Sequence, residues 1–117
     1  MELLSFQITD VLAQFEGTPS NWHNDPSNVS IVGFRDAMGR LDEKKVDAFM
    51  QLNYTRARQL LNIERFEYYI EMRDENGNVL NSSGSSPNKN ATRSVSTLRI
   101  SSIGNITRQI GFTLWKR

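Results

Sequence analysis

His23 is the single histidine of this chain, and it sits beside Asn24, Asp25 and Asn28 in the stretch EGTPSNWHNDPSNVS. A histidine among carboxylate and amide oxygens could ligate a metal or act as a general base. A metal site takes about three convergent protein ligands, and the chain holds no second histidine and no cysteine. An all-oxygen calcium site built from Asp25, Asn24 and Asn28 lacks the DxDxDG spacing of a calcium loop. The expectation is a surface histidine in a turn, with no metal and no cofactor.

Two further groups could do chemistry. Glu67 and Glu71 alternate with Tyr69 and Arg73 on the outward face of FEYYIEMRD, and paired carboxylates can serve as acid and base. That face is the polar one, so neighbouring charge and solvent account for them. No GxSxG, Walker A, HExxH or GxGxxG is present to anchor catalysis. The chain reads as a non-enzyme with no catalytic residues. Arg93, Arg99, Arg108, Lys116 and Arg117 lie near Trp115, and arginines interleaved with an aromatic can bind single-stranded nucleic acid. Pairing across the sheet with the acidic residues of FEYYIEMRDE is the plainer expectation.

The pattern that most exceeds chance is Asn-x-Ser/Thr, the N-glycosylation acceptor. It occurs at Asn28, Asn53, Asn81, Asn90 and Asn105, whereas random placement of 11 Asn against 19 Ser plus Thr in 117 residues gives just under two. Four of the five fall in expected loops or turns, and Asn53 has the competing task of capping a helix. Asn81 and Asn90 read as the best acceptors. An extracytoplasmic, glycosylated protein follows as the expectation.

The bulk numbers narrow the field. A chain of 117 residues makes one domain, large enough to bury a core without metal or disulfide help. Charges nearly cancel, 14 basic against 13 acidic, so no overall field points to nucleic acid or an anionic membrane. The mean hydropathy of −0.52 is polar without being that of a disordered chain. Absence of cysteine removes disulfides and thiolate chemistry. No apolar run reaches the length of a membrane span.

The elements that would carry these residues follow from periodicity. Over residues 2–16, Leu4, Ile8, Val11, Leu12 and Phe15 share a helix face, with Gly17 as its C-cap and Thr18-Pro19 as its stop. A helix that opens at Met1 with nothing before it to cap it predicts that the natural helix begins further upstream. A turn-rich connector over 17–28 leads to a short strand, VSIVGF. Asp42 and Asn53 are placed to N-cap two short helices, and Asn62 to end the second in a left-handed conformation. FEYYIEMRD alternates as a half-buried strand, Tyr68 inward and Tyr69 outward. Asn76-Gly77 signals a two-residue hairpin turn, residues 81–91 a mobile polar loop, and Ile103–Asn105 a tight turn between the last two strands. The fold class is α+β: an N-terminal helix on an antiparallel meander, with two short helices before the sheet. Residues 1–17 form a stem helix and 18–117 the head.

Taken in order, several pieces resemble the archaeal type IV pilin-like proteins that carry a class III signal peptide. EGTPSNW after the helix is similar to that family's TTPGxPxNW. IVGFRDAMGRLDEKKVDAFMQLNYTRARQLLNI resembles its LGLA…xLDxxKVxxLxxLNYxxxxxLLGI, YYIEMRDENGNVL its YDFYLRLxDxNGxVL, and GFTLWKR its terminal LxVTLW. The likeness runs in pieces over residues 10–117. It departs at Ser20, where the family often has glycine or proline, and at Asn62, where glycine usually ends the helix; both types suit turns. The resemblance implies a domain outside the cell membrane, held by an apolar N-terminal helix of which residues 1–16 are the lower end. It implies assembly as a homo-oligomer, or with other envelope or pilus proteins, through that helix, and contact with the membrane through its missing upper part.

Three functions follow, in order. The first is a structural, assembling head of an archaeal envelope protein, with no nucleic-acid partner. The second is a cell-surface binding module using the outer sheet face (Glu67, Tyr69, Glu71, Arg73) or the 81–91 loop. The third is an intracellular nucleic-acid-binding or regulatory domain using Arg93, Arg99 and Arg108.

Overall fold

In the computed structural model, which describes residues 1–103 and 105–117, helix α1 (Glu2–Gln14) lies on the inner face of a four-stranded antiparallel sheet. The chain then runs through β1 (Gly17–Thr18), two single 3-10 turns, β2 (Ile31–Val32), α2 (Glu43–Met50) and α3 (Tyr54–Leu60). The sheet follows as β3 (Glu67–Arg73), β4 (Val79–Gly84), β5 (Arg93–Ile103) and β6 (Ile106–Lys116). The fold is α+β, as the periodicity predicts. The expected turn at Ile103–Asn105 includes Gly104, which lies outside the described residues.

Helix α1 is shorter than expected and rotated about its axis. Phe15 is already extended, with φ −114° and ψ 153°, and Gly17 pairs with Val32 rather than capping the helix. The buried stripe is Ser5, Ile8, Thr9, Leu12 and Ala13, not the Leu4–Val11–Phe15 line. Small residues at 5, 9 and 13 let the helix axis come close to β5, where the Ser5 hydroxyl meets that of Thr97 at 2.7 Å. Ile8 and Leu12 of the expected face stay in the core, while Val11 and Phe15 are displaced toward solvent.

The connector is a built joint. Trp22 is fully buried and donates its indole N–H to the Gly33 carbonyl at 3.0 Å. Gly33 is required by close approach, since a Cβ there would stand 2.2 Å from the Phe15 carbonyl oxygen. Lys45, buried on α2, donates its ammonium to the carbonyls of Glu16 (2.9 Å) and Arg35 (2.5 Å) and so ties the helix end to the head. Nothing in the sequence pattern marks that lysine as buried.

The sheet is not a sequential meander: its order is β4-β3-β6-β5, two hairpins joined through a central β3–β6 pair. The reason lies in composition. Strand β4, VLNSSG, is too polar for a two-sided burial, whereas β6 puts Ile110, Phe112 and Leu114 on the core face. The apolar strands take the centre and β4 the edge. The β3–β4 loop is also longer than the expected two residues. It spans 74–78, and the Asp74 carboxylate accepts from the backbone N–H groups of Asn76 and Asn78, both at 2.9 Å.

Because β4 and β5 occupy opposite edges, the segment joining them must cross β3 and β6. It begins later than expected, since 81–84 belong to β4, and Gly84 at φ +93° turns it where a Cβ would stand 2.4 Å from the Tyr68 carbonyl oxygen. The crossing packs over Trp115, whose indole N–H donates to the Ser85 carbonyl at 2.7 Å. Trp115 is thereby buried on the face opposite the main core. A polar segment is held down here because it supplies backbone acceptors, and the indole supplies the apolar area.

Candidate functional site

The five glycosylation acceptors come first, because each depends on local geometry. Asn28, Asn53, Asn90 and Asn105 are exposed and Asn81 is half-buried. Asn28 donates to Asp25 at 2.5 Å and Asn81 to Asp47 at 2.8 Å, while Asn53 uses its oxygen to cap α3 at the Arg56 N–H (3.2 Å). Asn81 lies in edge strand β4, not in a loop. Of the two favoured acceptors, Asn90 therefore presents its amide more freely, in the turn that Asn88 closes.

The His23 neighbourhood is a turn with internal bonds. Asp25 accepts from Ser27 at 2.7 Å as well as from Asn28, so both of its carboxylate oxygens are engaged in closing the turn. Among the described residues, no three His, Asp or Glu side chains converge to hold a metal ion.

The arginines turn out to face helices rather than β3. Arg93 pairs with Glu2 at 3.0 Å and Arg99 with Asp10 at 2.7 Å, both on α1, and Arg108 pairs with Glu43 of α2 at 3.2 Å. Strand β5 is not adjacent to β3, and Arg93 and Arg99 point to the inner face, so cross-strand pairing with the acidic strand is geometrically closed to them. Of these five cations, Arg117 reaches it, at 3.5 Å from Glu67.

The outer sheet face holds the most organised polar group. Tyr69 points outward and Tyr68 inward, as the alternation predicts. Glu71, expected to be solvated, is 9% exposed. Its Oε1 accepts from Arg73 Nε at 2.7 Å and from the same guanidinium's terminal nitrogen, and its Oε2 accepts from the Tyr69 hydroxyl at 3.1 Å. Beside it in β6 stands Gly111, in register with Glu71 on one side and Leu98 on the other. One row along, the Ser96 and Thr113 hydroxyls bond to each other at 2.9 Å. Together these side chains line a trough of about 240 Å³ with Gly111 as its floor. Sequence reasoning missed Gly111 and Leu98. The available signal was a lone glycine interrupting the strand pattern ITRQIGFTLW, which marks a bulge or a close approach.

Where β3 meets α3, the Tyr54 hydroxyl donates to Glu67 Oε2 and accepts from the Tyr68 N–H at 3.1 Å. Burial first, and the bond to Glu67 second, push the Tyr54 hydroxyl up to about 12. Its ring stacks on Tyr68 at 5.0 Å between centroids. This arrangement fixes α3 on the sheet and leaves Glu67 bonded within the fold.

A scan against protein-family models finds no match, and searches of curated proteins and of solved structures return none either.

Proposed function

We propose that this chain is the head domain of an extracytoplasmic, membrane-anchored archaeal envelope protein, pilin-like in plan, with a structural role and no catalysis of its own. The observation that carries this reading is the apolar surface α1 leaves outside. With one stripe packed on the sheet, Leu3 (68% exposed) and Phe6 (54%) stand on one flank, and Leu4 and Val11 on the other line an apolar groove with Ile31 and Leu61. A surface helix of a monomer is usually polar away from its packed face. A helix apolar on both flanks is suited to packing among other helices. The surface positions of Asn28, Asn53, Asn90 and Asn105 also support a glycosylated domain outside the membrane.

The test uses the full gene product in its own cells. Leu3→Gln with Phe6→Gln is expected to abolish cross-linked oligomers while leaving the melting temperature of the head unchanged, because neither side chain is in the core. Oligomers that persist in the double variant would refute assembly through α1. Glycopeptide mass spectrometry of native material is expected to find a glycan on Asn90, and unmodified Asn90 together with cytoplasmic fractionation would refute the location.

A further inference from the structure

Gly111 has no explanation in the fold. It lies in the middle of a central strand, where glycine weakens a sheet, yet its backbone is not among the positive-φ glycines. The nearest atoms a Cβ at 111 would meet are Glu71 Cγ at 3.6 Å, an Arg73 nitrogen at 3.8 Å and Glu71 Oε1 at 3.9 Å, all ordinary contacts. Alanine would fit. What glycine provides is the depth of the trough above it.

We propose that this trough is a binding site for an uncharged saccharide, one sugar ring of a glycan. Its volume of about 240 Å³ falls below the range of drug-sized ligand pockets, which favours a small polar ligand. The charge of Glu71 is matched by Arg73 and braced by Tyr69, so the site is neutral overall. An anion would face the carboxylate and a cation the guanidinium. A hydroxyl meets neither penalty, since it donates to the carboxylate and accepts from the guanidinium at once. The Ser96 and Thr113 hydroxyls extend the same capacity along one wall. Leu98, 54% exposed on the other wall, offers an apolar surface for the C–H face of a ring. The Glu71 carboxylate is buried and already bonded to the half-buried Arg73 guanidinium before the ligand arrives, which lowers the ordering cost of binding. The site lies on the sheet face opposite α1, so it stands independently of assembly through that helix.

The experiment is an amide-resonance titration of the chain with the methyl glycosides of glucose, mannose, galactose and N-acetylglucosamine, with glucuronate and inorganic phosphate as charged controls. At least one neutral glycoside is expected to shift the amides of Leu98, Gly111 and Thr113 at millimolar concentration. Gly111→Ala is expected to weaken that binding about tenfold, a change of about 1.4 kcal/mol, while holding or raising the melting temperature. Glu71→Gln is expected to weaken it as well, and serves if the alanine variant misfolds. Three results would overturn the proposal: no neutral glycoside shifts those amides, only the charged controls do, or binding is unchanged in both variants.

Discussion

Replacing Tyr54 with phenylalanine tests whether one hydroxyl fastens α3 to the sheet. The ring would keep its stacking on Tyr68 at 5.0 Å and the Arg58 guanidinium over it at 5.4 Å, so packing is conserved. Two hydrogen bonds are lost: the donation to Glu67, a charged acceptor, and the acceptance from the Tyr68 N–H. Bonds to charged groups contribute about 1.5–3 kcal/mol, and an orphaned partly buried N–H costs about 1 kcal/mol or more. Partial solvent access and the remaining partners of Glu67, Arg117 at 3.5 Å and Arg58 at 4.0 Å, place the total near the low end, about 2 kcal/mol. At this chain length that is a fall in melting temperature of roughly 6–12 °C.

The pH dependence gives the same bond a second readout. The Tyr54 hydroxyl is raised to about 12 in the fold, against about 10 in an unfolded chain. Its contribution is therefore complete below about pH 10 and is lost as pH rises from there toward about 12. The unscreened shift would be worth about 2.7 kcal/mol, and solvent screening at this partly exposed hydroxyl reduces it to about 1 kcal/mol. Urea denaturation of both proteins from about pH 8 to about pH 12 is expected to show a deficit that shrinks by roughly half in that window. A phenylalanine variant as stable as the wild type, or a deficit that stays flat with pH, would refute the reasoning.

Three more outcomes are expected. Trp22→Phe removes the indole bond to Gly33 and some buried volume at the joint, and should cost about 2–3 kcal/mol by chemical denaturation. Asn53→Ala removes the α3 cap at a cost of about 1 kcal/mol, whereas Asn53→Asp keeps the cap while deleting the acceptor, so the pair separates stability from glycan attachment. The Asn78 side chain, then the Asn78 and Asn76 N–H groups, hold the Asp74 carboxyl below its ordinary 3.8. Its contribution is present above that value and fades as pH falls through the lowered one. The stability gap between wild type and Asp74→Ala should thus narrow in acid, followed by circular dichroism.

Features closed within a few residues were legible in the sequence. Asp42 accepts from the Lys44 N–H at 2.9 Å, Asn53 caps α3, Asn62 adopts φ 60°, and Tyr68 and Tyr69 divide between the faces of β3. Each depends on a bond or a period spanning at most four positions, so neighbours in the chain decide it. The candidate site was only half legible. Tyr69, Glu71 and Arg73 could be placed on one face by counting twos, but the floor at Gly111 and the wall at Leu98 come from strands about 40 and 27 positions away, and register alone brings them together.

What the sequence by itself determined was the three helices and the main strands, the N-caps of α2 and α3, and the alternation of faces along β3. The tertiary structure decided what each face meets. It set β6 beside β3, buried Glu71 and Lys45, turned Arg93 and Arg99 toward α1, and closed the 85–92 segment over Trp115. The physical reason is that burial and ion pairing depend on which surfaces become neighbours. That choice is made by the whole apolar area competing for the centre of the sheet, and no short stretch of residues carries it.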